Sequence, residues 1–351
     1  MKKILITFLI ILIIIISFVS CNKADENFIK ENFFALDTFI NITVSEGEGA
    51  RAGLDAAIKR IQEIEERMSA TLPGSDVYRI NENAGKRPVT VESDTFYVIQ
   101  KAIEFGELTK GALDISTRSL SLLWDITGEN PRVPEEEEIR RILPLVDYKK
   151  IHLDEEKRTV FLEQEGMAID LGSIAKGYAG DEAARILKEN GIAHGLINLG
   201  GNIVAIGSKE DGSPWRIGIQ NPRMDESKDG QRRHVAVVEA VDKSVITSGD
   251  YERYMVEIYE KTGERYHHIF DPSTGYPAKS GVISVTVVSE SGIEADAWTT
   301  SLFVMGVEEG LKLINELESV DAMFITEDKK IYFSKGFKDQ VSDIHGDYHA
   351  E

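Results

Sequence analysis

The sequence lacks several features that define common classes of protein. It has 351 residues and a single cysteine, Cys21, so no disulfide bond can form within the chain. Positive charge is scarce, because 40 Lys and Arg stand against 60 Asp and Glu and the formal net charge is -20. So acidic a chain repels nucleic acid, and we expect no nucleic-acid partner. No internal repeat and no low-complexity tract is present, which excludes a repeat architecture.

Long hydrophobic runs are missing too, apart from one at the N-terminus. Residues 4–16 are apolar except for Thr7, and Lys2 and Lys3 precede them. This run is short for a membrane-spanning helix, so it predicts a signal peptide over residues 1–20. Ser20 and Cys21 then resemble a bacterial lipobox, in which the cysteine is acylated and becomes the new N-terminus. The prediction is a lipid anchor at the extracytoplasmic face of the cell membrane; an uncleaved anchor with an incidental cysteine is the alternative.

The rest of the chain mixes predicted strands and helices. Residues 21–32 are polar and predict a tether. Alternation over 33–45 predicts one strand, and apolar stripes predict helices over 50–68 and 93–108. Hairpins are about as common as crossovers, which favours an α+β fold with mixed, mainly antiparallel sheets over a doubly wound parallel sheet. Residues 338–351 are predicted to be a polar tail.

The stretch 170–177 (Asp-Leu-Gly-Ser-Ile-Ala-Lys-Gly) has the strongest local signal. An apolar run at 166–169 predicts a strand before it, and residues 180–187 predict a helix after it. Backbone N–H groups at the start of a helix suit a phosphate, and Asp170 and Lys176 would flank that site. The spacing is not that of a Walker motif. An ordinary connection between a strand and a helix is the alternative.

Three further stretches carry polar or flexible residues. Glycines at 200 and 201 let a backbone approach a ligand closely. His267 and His268 are adjacent, and on a strand they would point to opposite faces, so one at most easily enters a site. Asp296 and Thr300 are four residues apart on a predicted helix, where a carboxylate and a hydroxyl can reach one hard cation. The alternative for each histidine is a structural role, either exposed to solvent or hydrogen-bonded in the core. The alternative for Asp296 and Thr300 is a helix N-cap with a buried Thr.

Taken together, these stretches resemble the ApbE family of flavin transferases. The resemblance runs from the strand near residue 34 to a final predicted hairpin formed by 322–325 and 330–333, and it rests on motifs that occur in the family's order. The motifs are 111–116 (Gly-Ala-Leu-Asp-Ile-Ser), 170–177, 198–202 (Asn-Leu-Gly-Gly-Asn), 268–275 (His-Ile-Phe-Asp-Pro-Ser-Thr-Gly) and 295–300 (Ala-Asp-Ala-Trp-Thr-Thr). The resemblance implies a single catalytic body over residues 33–337.

The resemblance also implies a reaction. Family members bind FAD and Mg²⁺, attach FMN through a phosphoester to a Thr or Ser hydroxyl of an acceptor redox protein, and release AMP. The positions that match the metal ligands are Ser173, Asp296 and Thr300. His268 matches the histidine proposed to deprotonate the acceptor hydroxyl, with Asp296 as a competing base. The positions that match flavin contacts are Leu36, Thr71, Ala112, Leu113, Asp114, Asp170, Lys176 and Ile269.

Two other functions stay open at this point. Hydrolysis of FAD to FMN and AMP is a related activity of the same site. A non-catalytic lipoprotein that captures flavin would have the same anchor and the same cleft. AMP release in the presence of FAD, Mg²⁺ and an acceptor distinguishes capture from catalysis.

Overall fold

The structure is a computed structural model that describes residues 28–224 and 233–351. The predicted signal peptide, Cys21 and most of the polar loop at 224–233 lie outside the described residues. None of the helices in the described part of the chain is long and apolar enough to cross a membrane. The helices are α1 (Ala50–Met68), α2 (Asp76–Glu82), α3 (Ser93–Leu108), α4 (Arg118–Trp124), α5 (Glu136–Ile142), α6 (Ala175–Glu189), α7 (Val256–Thr262) and α8 (Gly292–Ile314).

Fifteen strands are present in the same residues. They are β1 (Phe28–Ala35), β2 (Thr38–Ser45), β3 (Val89–Thr90), β4 (Ile151–Asp154), β5 (Thr159–Leu162), β6 (Gly195–Leu199), β7 (Asn202–Ile206), β8 (Trp215–Gln220), β9 (His234–Ala240), β10 (Ser244–Gly249), β11 (Val282–Ser289), β12 (Val320–Thr326), β13 (Lys330–Phe333), β14 (Val341–Ser342) and β15 (His349–Ala350).

A nine-stranded sheet organises the fold. Its strand order is β1-β2-β6-β7-β10-β11-β12-β13-β15, and every neighbouring pair is antiparallel except β13 and β15. Two three-stranded sheets, β14-β9-β8 and β3-β5-β4, are also antiparallel. The predicted α+β class with mainly antiparallel sheets is confirmed.

Apolar side chains cover the large sheet on both faces. In β12, Ala322 and Phe324 join the main core cluster with α1, α3, α6 and α8, whereas Met323 and Ile325 join a second cluster with β8 and β9. The alternation follows from the two-residue period of a strand. Every residue of β11 is buried, including Ser284 and Thr286, because this strand is covered on both faces of the sheet.

The N-terminal part of the body differs from the prediction. The single strand expected over 33–45 is wrong, because β1 and β2 form a hairpin that turns at Leu36 and Asp37. The tether expected over 21–32 is wrong from residue 28 onward, because residues 28–32 belong to β1. Leu36 and Asp37 have φ of 53° and 56°, a conformation that usually calls for Gly or Asn, so the sequence has no turn signal here.

Other secondary-structure elements also differ from the prediction. The tail at 338–351 is folded, since β14 pairs with β9 and β15 pairs with β13. The strand expected at 166–169 is wrong, because only an isolated bridge between Ala168 and Thr117 forms, and α6 begins at residue 175 instead of 180. α8 consists of two helical segments that meet at a kink, because Gly306 has non-helical backbone angles (φ 79°, ψ 179°), and Asp296 and Thr300 lie on the first segment.

A third cluster of buried side chains supports the segment after His268. Trp124, at the end of α4, is fully buried, and its Nε1 donates a hydrogen bond to the backbone oxygen of Gly275 at 3.0 Å. Its ring packs against Tyr266, Phe270 and Tyr276. Trp124 therefore joins α4 to the loop that carries the motif at 268–275.

We expect the substitution Trp124→Ala to lower the free energy of unfolding by about 3–5 kcal/mol, because it leaves a cavity and an unpaired Gly275 carbonyl. Leu122→Ala, on the same helix but at a side chain that is 60% exposed, should change it by no more than about 0.5 kcal/mol. Urea unfolding of both variants measures the difference. Equal effects would show that the cluster does not hold the loop.

Candidate active site

The start of α6 and the first turns of α8 form the centre of the candidate site. Asp296 lies on α8, its side chain is buried, and its Oδ2 accepts a hydrogen bond from the backbone N–H of Gly177 at 2.8 Å. Gly177 is the third residue of α6, where a backbone N–H has no partner within the helix. The stretch 170–177 and the stretch 295–300 thus meet, and a carboxylate occupies the position at the helix start that favours an anion.

Glycine at position 177 is required by this close approach. A Cβ there would lie 2.2 Å from the backbone oxygen of Gly292 and 2.7 Å from the Cβ of Asp296. No side chain fits at such distances. The glycine therefore brings the carboxylate of Asp296 against the start of α6.

The surroundings of Asp296 decide its charge. Burial raises its pKa above the ordinary value, whereas the charge of Lys176, the N–H of Gly177 and the side chain of Asn202 lower it. The Nδ2 of Asn202 is buried next to the carboxylate of Asp296, and among the described residues it has no other polar partner. The amide therefore offsets part of the charge of this carboxylate. The role of Asn202 was missed, although its motif was singled out in the sequence.

The other two expected metal ligands lie on or next to the two helices that make this contact. Ser173 is in the turn just before α6 and is half-buried, and Thr300 is half-buried one helical turn after Asp296. Their oxygen atoms form a donor set of the kind that Mg²⁺ prefers. Thr299, by contrast, is fully buried: its Oγ1 donates to the backbone oxygen of Asp296 and accepts from the Oγ of Ser248.

No group of three or more His, Cys, Asp or Glu side chains in residues 28–224 and 233–351 is placed to hold a metal ion. The expected set has only one residue of these types, Asp296. Any ion bound there would depend on hydroxyl groups and on phosphate oxygens of the substrate for the rest of its shell.

Two of the sequence motifs are joined at Asp170. Its backbone N–H donates to the backbone oxygen of Ile115 at 2.9 Å, and its Oδ1 accepts from the N–H of Gly172 at 2.7 Å. Its Oδ2 lies 3.5 Å from Nη1 of Arg118. Asn81 makes two hydrogen bonds with the backbone of Ile169, one residue earlier. The turn before α6 is thereby fixed against the stretch 111–116.

Asp114 has mainly internal contacts. Its side chain is buried, its Oδ1 accepts from the N–H and the Oγ of Ser116, and its Oδ2 accepts from the N–H of Tyr148. Burial raises its pKa. Leu113 is also buried and Ala112 is half-buried. These three expected flavin contacts thus lie in a segment whose side chains mainly brace the fold.

The hairpin turn between β1 and β2 reaches the segment that carries His268. The N–H of Leu36 donates to Oε1 of Glu65 at 2.8 Å, which joins the turn to α1. Arg253 contacts the backbone oxygen of Asp37 at 3.1 Å and its Oδ2 at 3.0 Å. The backbone oxygen of Arg253 in turn accepts from the N–H of His268 at 3.1 Å. Thr71 is exposed in the loop that follows α1.

The two histidines have different environments, although neither lies on a regular strand as expected. His267 is buried, with Nε2 bonded to the oxygen of Ala278 and Nδ1 accepting from the N–H of Ile269. Ile269 is buried as well, and its oxygen accepts from the N–H of Ala278. His268 is half-buried and its Nδ1 is 3.2 Å from the oxygen of Arg253. A carbonyl can only accept, so Nδ1 donates and the lone pair is on Nε2.

Electrostatics keep His268 neutral. Desolvation of the ring is the main cause that lowers its pKa to about 3, and His267, Arg253 and Lys176 act in the same direction. Lys176, the second residue of α6, also interacts with Asp296 and with Glu252. The cation of Lys176 therefore lies among the residues that the sequence assigned to catalysis and metal binding.

Known proteins with similar sequences identify the family of this chain. The sequence model of the ApbE family matches residues 36–324. A Klebsiella pneumoniae protein named FAD:protein FMN transferase is 36% identical over 288 residues, which are 82% of this chain and 86% of that protein. A Treponema pallidum protein of the same name is 34% identical over 303 residues, or 83% of this chain and 81% of that protein.

Solved structures give the same result. The crystal structure of the ApbE protein of Thermotoga maritima superposes with a TM-score of 0.80 at 36% identity, and it covers 89% of this chain and 99% of its own. The flavin transferase ApbE of Vibrio cholerae gives a TM-score of 0.79 at 29% identity with the same coverage. On sequence and fold alike, this chain belongs to the ApbE family.

Proposed function

We propose that this protein is a flavin transferase that moves FMN from FAD to a Thr or Ser hydroxyl of an acceptor protein and releases AMP. The supporting observation is the carboxylate of Asp296 at the start of α6, beside Lys176 and the buried amide of Asn202, in a chain of the ApbE family. The curated relatives are named FAD:protein FMN transferase. The protein is therefore an enzyme of flavin transfer. That the reaction requires Mg²⁺ and forms a phosphoester bond is our proposal.

The residues present suit Mg²⁺. Ser173, Asp296 and Thr300 would hold the ion through oxygen atoms, and a bound Mg²⁺ would offset negative charge on the phosphate oxygens of FAD. The positive end of α6 and the ammonium of Lys176 would stabilise the same charge without rearrangement. The site is thus built to bind a pyrophosphate.

His268 is placed to act as the general base. Its Nε2 carries the lone pair and can accept the proton of the acceptor hydroxyl, while the carbonyl of Arg253 keeps the ring oriented. The hydroxyl oxygen forms a bond to the phosphorus of the FMN unit. The bond from that phosphorus to the bridging oxygen breaks, and AMP leaves with the electron pair.

The location is a proposal as well. A lipid on Cys21 would anchor the enzyme at the extracytoplasmic face of the cell membrane, where acceptor redox proteins would be its partners. The N-terminal sequence supports this placement, and membrane fractionation of cells that express the full chain tests it.

We expect Asp296→Asn to lower the rate of FMN transfer by more than about 100-fold. Substituting a residue that only orients a metal ligand already lowers metal affinity or activity by about 10–100-fold, and Asp296 is itself the expected ligand. The stability should change little, since Asn keeps the volume and an oxygen that can accept from Gly177. The assay measures AMP release and the fluorescence of the flavinylated acceptor in a denaturing gel.

Glu309→Gln is the matched control, because it removes a negative charge from an exposed position of the same helix. It should leave transfer unchanged. Full activity of Asp296→Asn would rule out the metal assignment.

We expect His268→Ala to lower transfer by about 10²–10⁴-fold, the usual contribution of a general base, with little change in FAD affinity. His152→Ala, at an exposed histidine elsewhere, is the control. Equal losses of transfer and of FAD binding would make His268 a structural residue.

The pH dependence of wild-type kcat/KM gives a second test of His268. Its folded pKa is lowered from 6.5 to about 3, so the base is already neutral well below pH 6.5. We therefore expect no loss of kcat/KM that is due to this residue as the pH falls from 8 to about 5. A decline centred near pH 6.5 that His268→Ala abolishes would contradict the assigned environment.

A further inference from the structure

A second carboxylate, Asp181, completes a symmetric contact between α6 and α8. Its Oδ1 accepts from the N–H of Gly292 at 2.7 Å and its Oδ2 accepts from the N–H of Ile293 at 3.0 Å. These are the first two residues of α8. Asp181 on α6 thus caps α8, while Asp296 on α8 caps α6.

The spacing of the four residues is the same in both helices. Gly177 precedes Asp181 by four residues, and Gly292 precedes Asp296 by four. A Cβ on Gly292 would lie 2.6 Å from Oδ1 of Asp181 and 2.8 Å from the backbone oxygen of Gly177. Each glycine therefore lets the other helix approach, and one turn later each helix supplies the carboxylate that caps its partner.

The start of α8 depends on Asp181 more than on its own cap. The Oγ of Ser291, the local N-cap residue, accepts from the N–H of Glu294 at 3.4 Å, which is long for a hydrogen bond. The N–H groups of Gly292 and Ile293 bind Asp181 at shorter distances. The position of the first turn of α8, and with it the position of Asp296 one turn later, follows from this contact.

We propose that Asp181 is a positioning residue that holds the carboxylate of Asp296 at the start of α6, where the metal and the pyrophosphate are expected. Its effect on magnesium rests on the proposed function. Its effect on Asp296 does not, because the contacts involved are made by protein atoms alone.

Amide hydrogen exchange of Gly177 in the metal-free protein measures this effect directly, because among the described residues the only hydrogen bond of this N–H is to Asp296. The exchange rate of the Gly177 amide in the Asp296→Ala variant gives the reference value for the protein without this hydrogen bond. We expect Asp181→Ala to raise the rate at least tenfold toward this value and Asp181→Asn, which keeps one accepting oxygen, to give a smaller rise. Amides near residue 187, in the last turns of α6, should change little.

Ser291→Ala is the matched control, because it weakens the start of α8 without touching α6. It should leave the exchange rate of Gly177 within about twofold of wild type. An unchanged rate in both Asp181 variants would overturn the proposal. So would an equal rise along the whole of α6, since that is the result expected of general destabilisation.

Titration of Mg²⁺ in the transfer assay then separates this proposal from the function it rests on. We expect Asp181→Ala to raise the Mg²⁺ concentration for half-maximal transfer roughly 10- to 100-fold, as for other residues that orient a metal ligand. An unchanged requirement would overturn the link to the metal. Magnesium-independent transfer by the wild type would instead overturn the metal part of the proposed function, while faster exchange at Gly177 would still support positioning by Asp181.

Discussion

The contact between the carboxylate of Asp296 and the backbone N–H of Gly177 is the interaction on which the rest of the site depends. It links two residues that are 119 positions apart in the sequence and lie on different helices. A buried carboxylate is costly unless it has partners, and here the partners are the positive end of a helix, Lys176 and Asn202. The same positive features favour an anionic ligand, so the arrangement that offsets the buried carboxylate also suits the phosphates of a dinucleotide.

The remainder of the fold brings other groups to this contact. The large sheet carries β7, whose first residue is Asn202, and the helices on one of its faces include α6 and α8. The hairpin of β1 and β2 meets Arg253 beyond the edge of the sheet, and the carbonyl of Arg253 fixes the ring of His268. A base, a cation and a capped helix start therefore converge from four separate parts of the chain.

Part of the fold and of the candidate site could be predicted from the sequence. The helix that carries Asp296 and Thr300, the glycine-rich turn before α6 and the strand pair around Gly200 and Gly201 all have local signals, and the structure contains them. The hairpin turn at Leu36 and Asp37 had no clear signal, because Asp tolerates positive φ but Leu rarely adopts it, and neither Gly nor Asn is present. Asp181 was equally hidden: its role comes from Gly292, 111 residues away, and nothing in its local pattern separates it from Glu182 beside it.

The central claim is that Asp296 binds a divalent ion together with the phosphates of FAD. Crystals of the protein grown with FAD and Mn²⁺, in which Mn²⁺ replaces Mg²⁺ as an anomalous scatterer, test it most directly. The account predicts one anomalous peak within about 2.5 Å of an Asp296 carboxylate oxygen, a phosphate oxygen and the hydroxyl groups of Ser173 and Thr300. Bound FAD without such a peak, or a peak held by other residues, would contradict it.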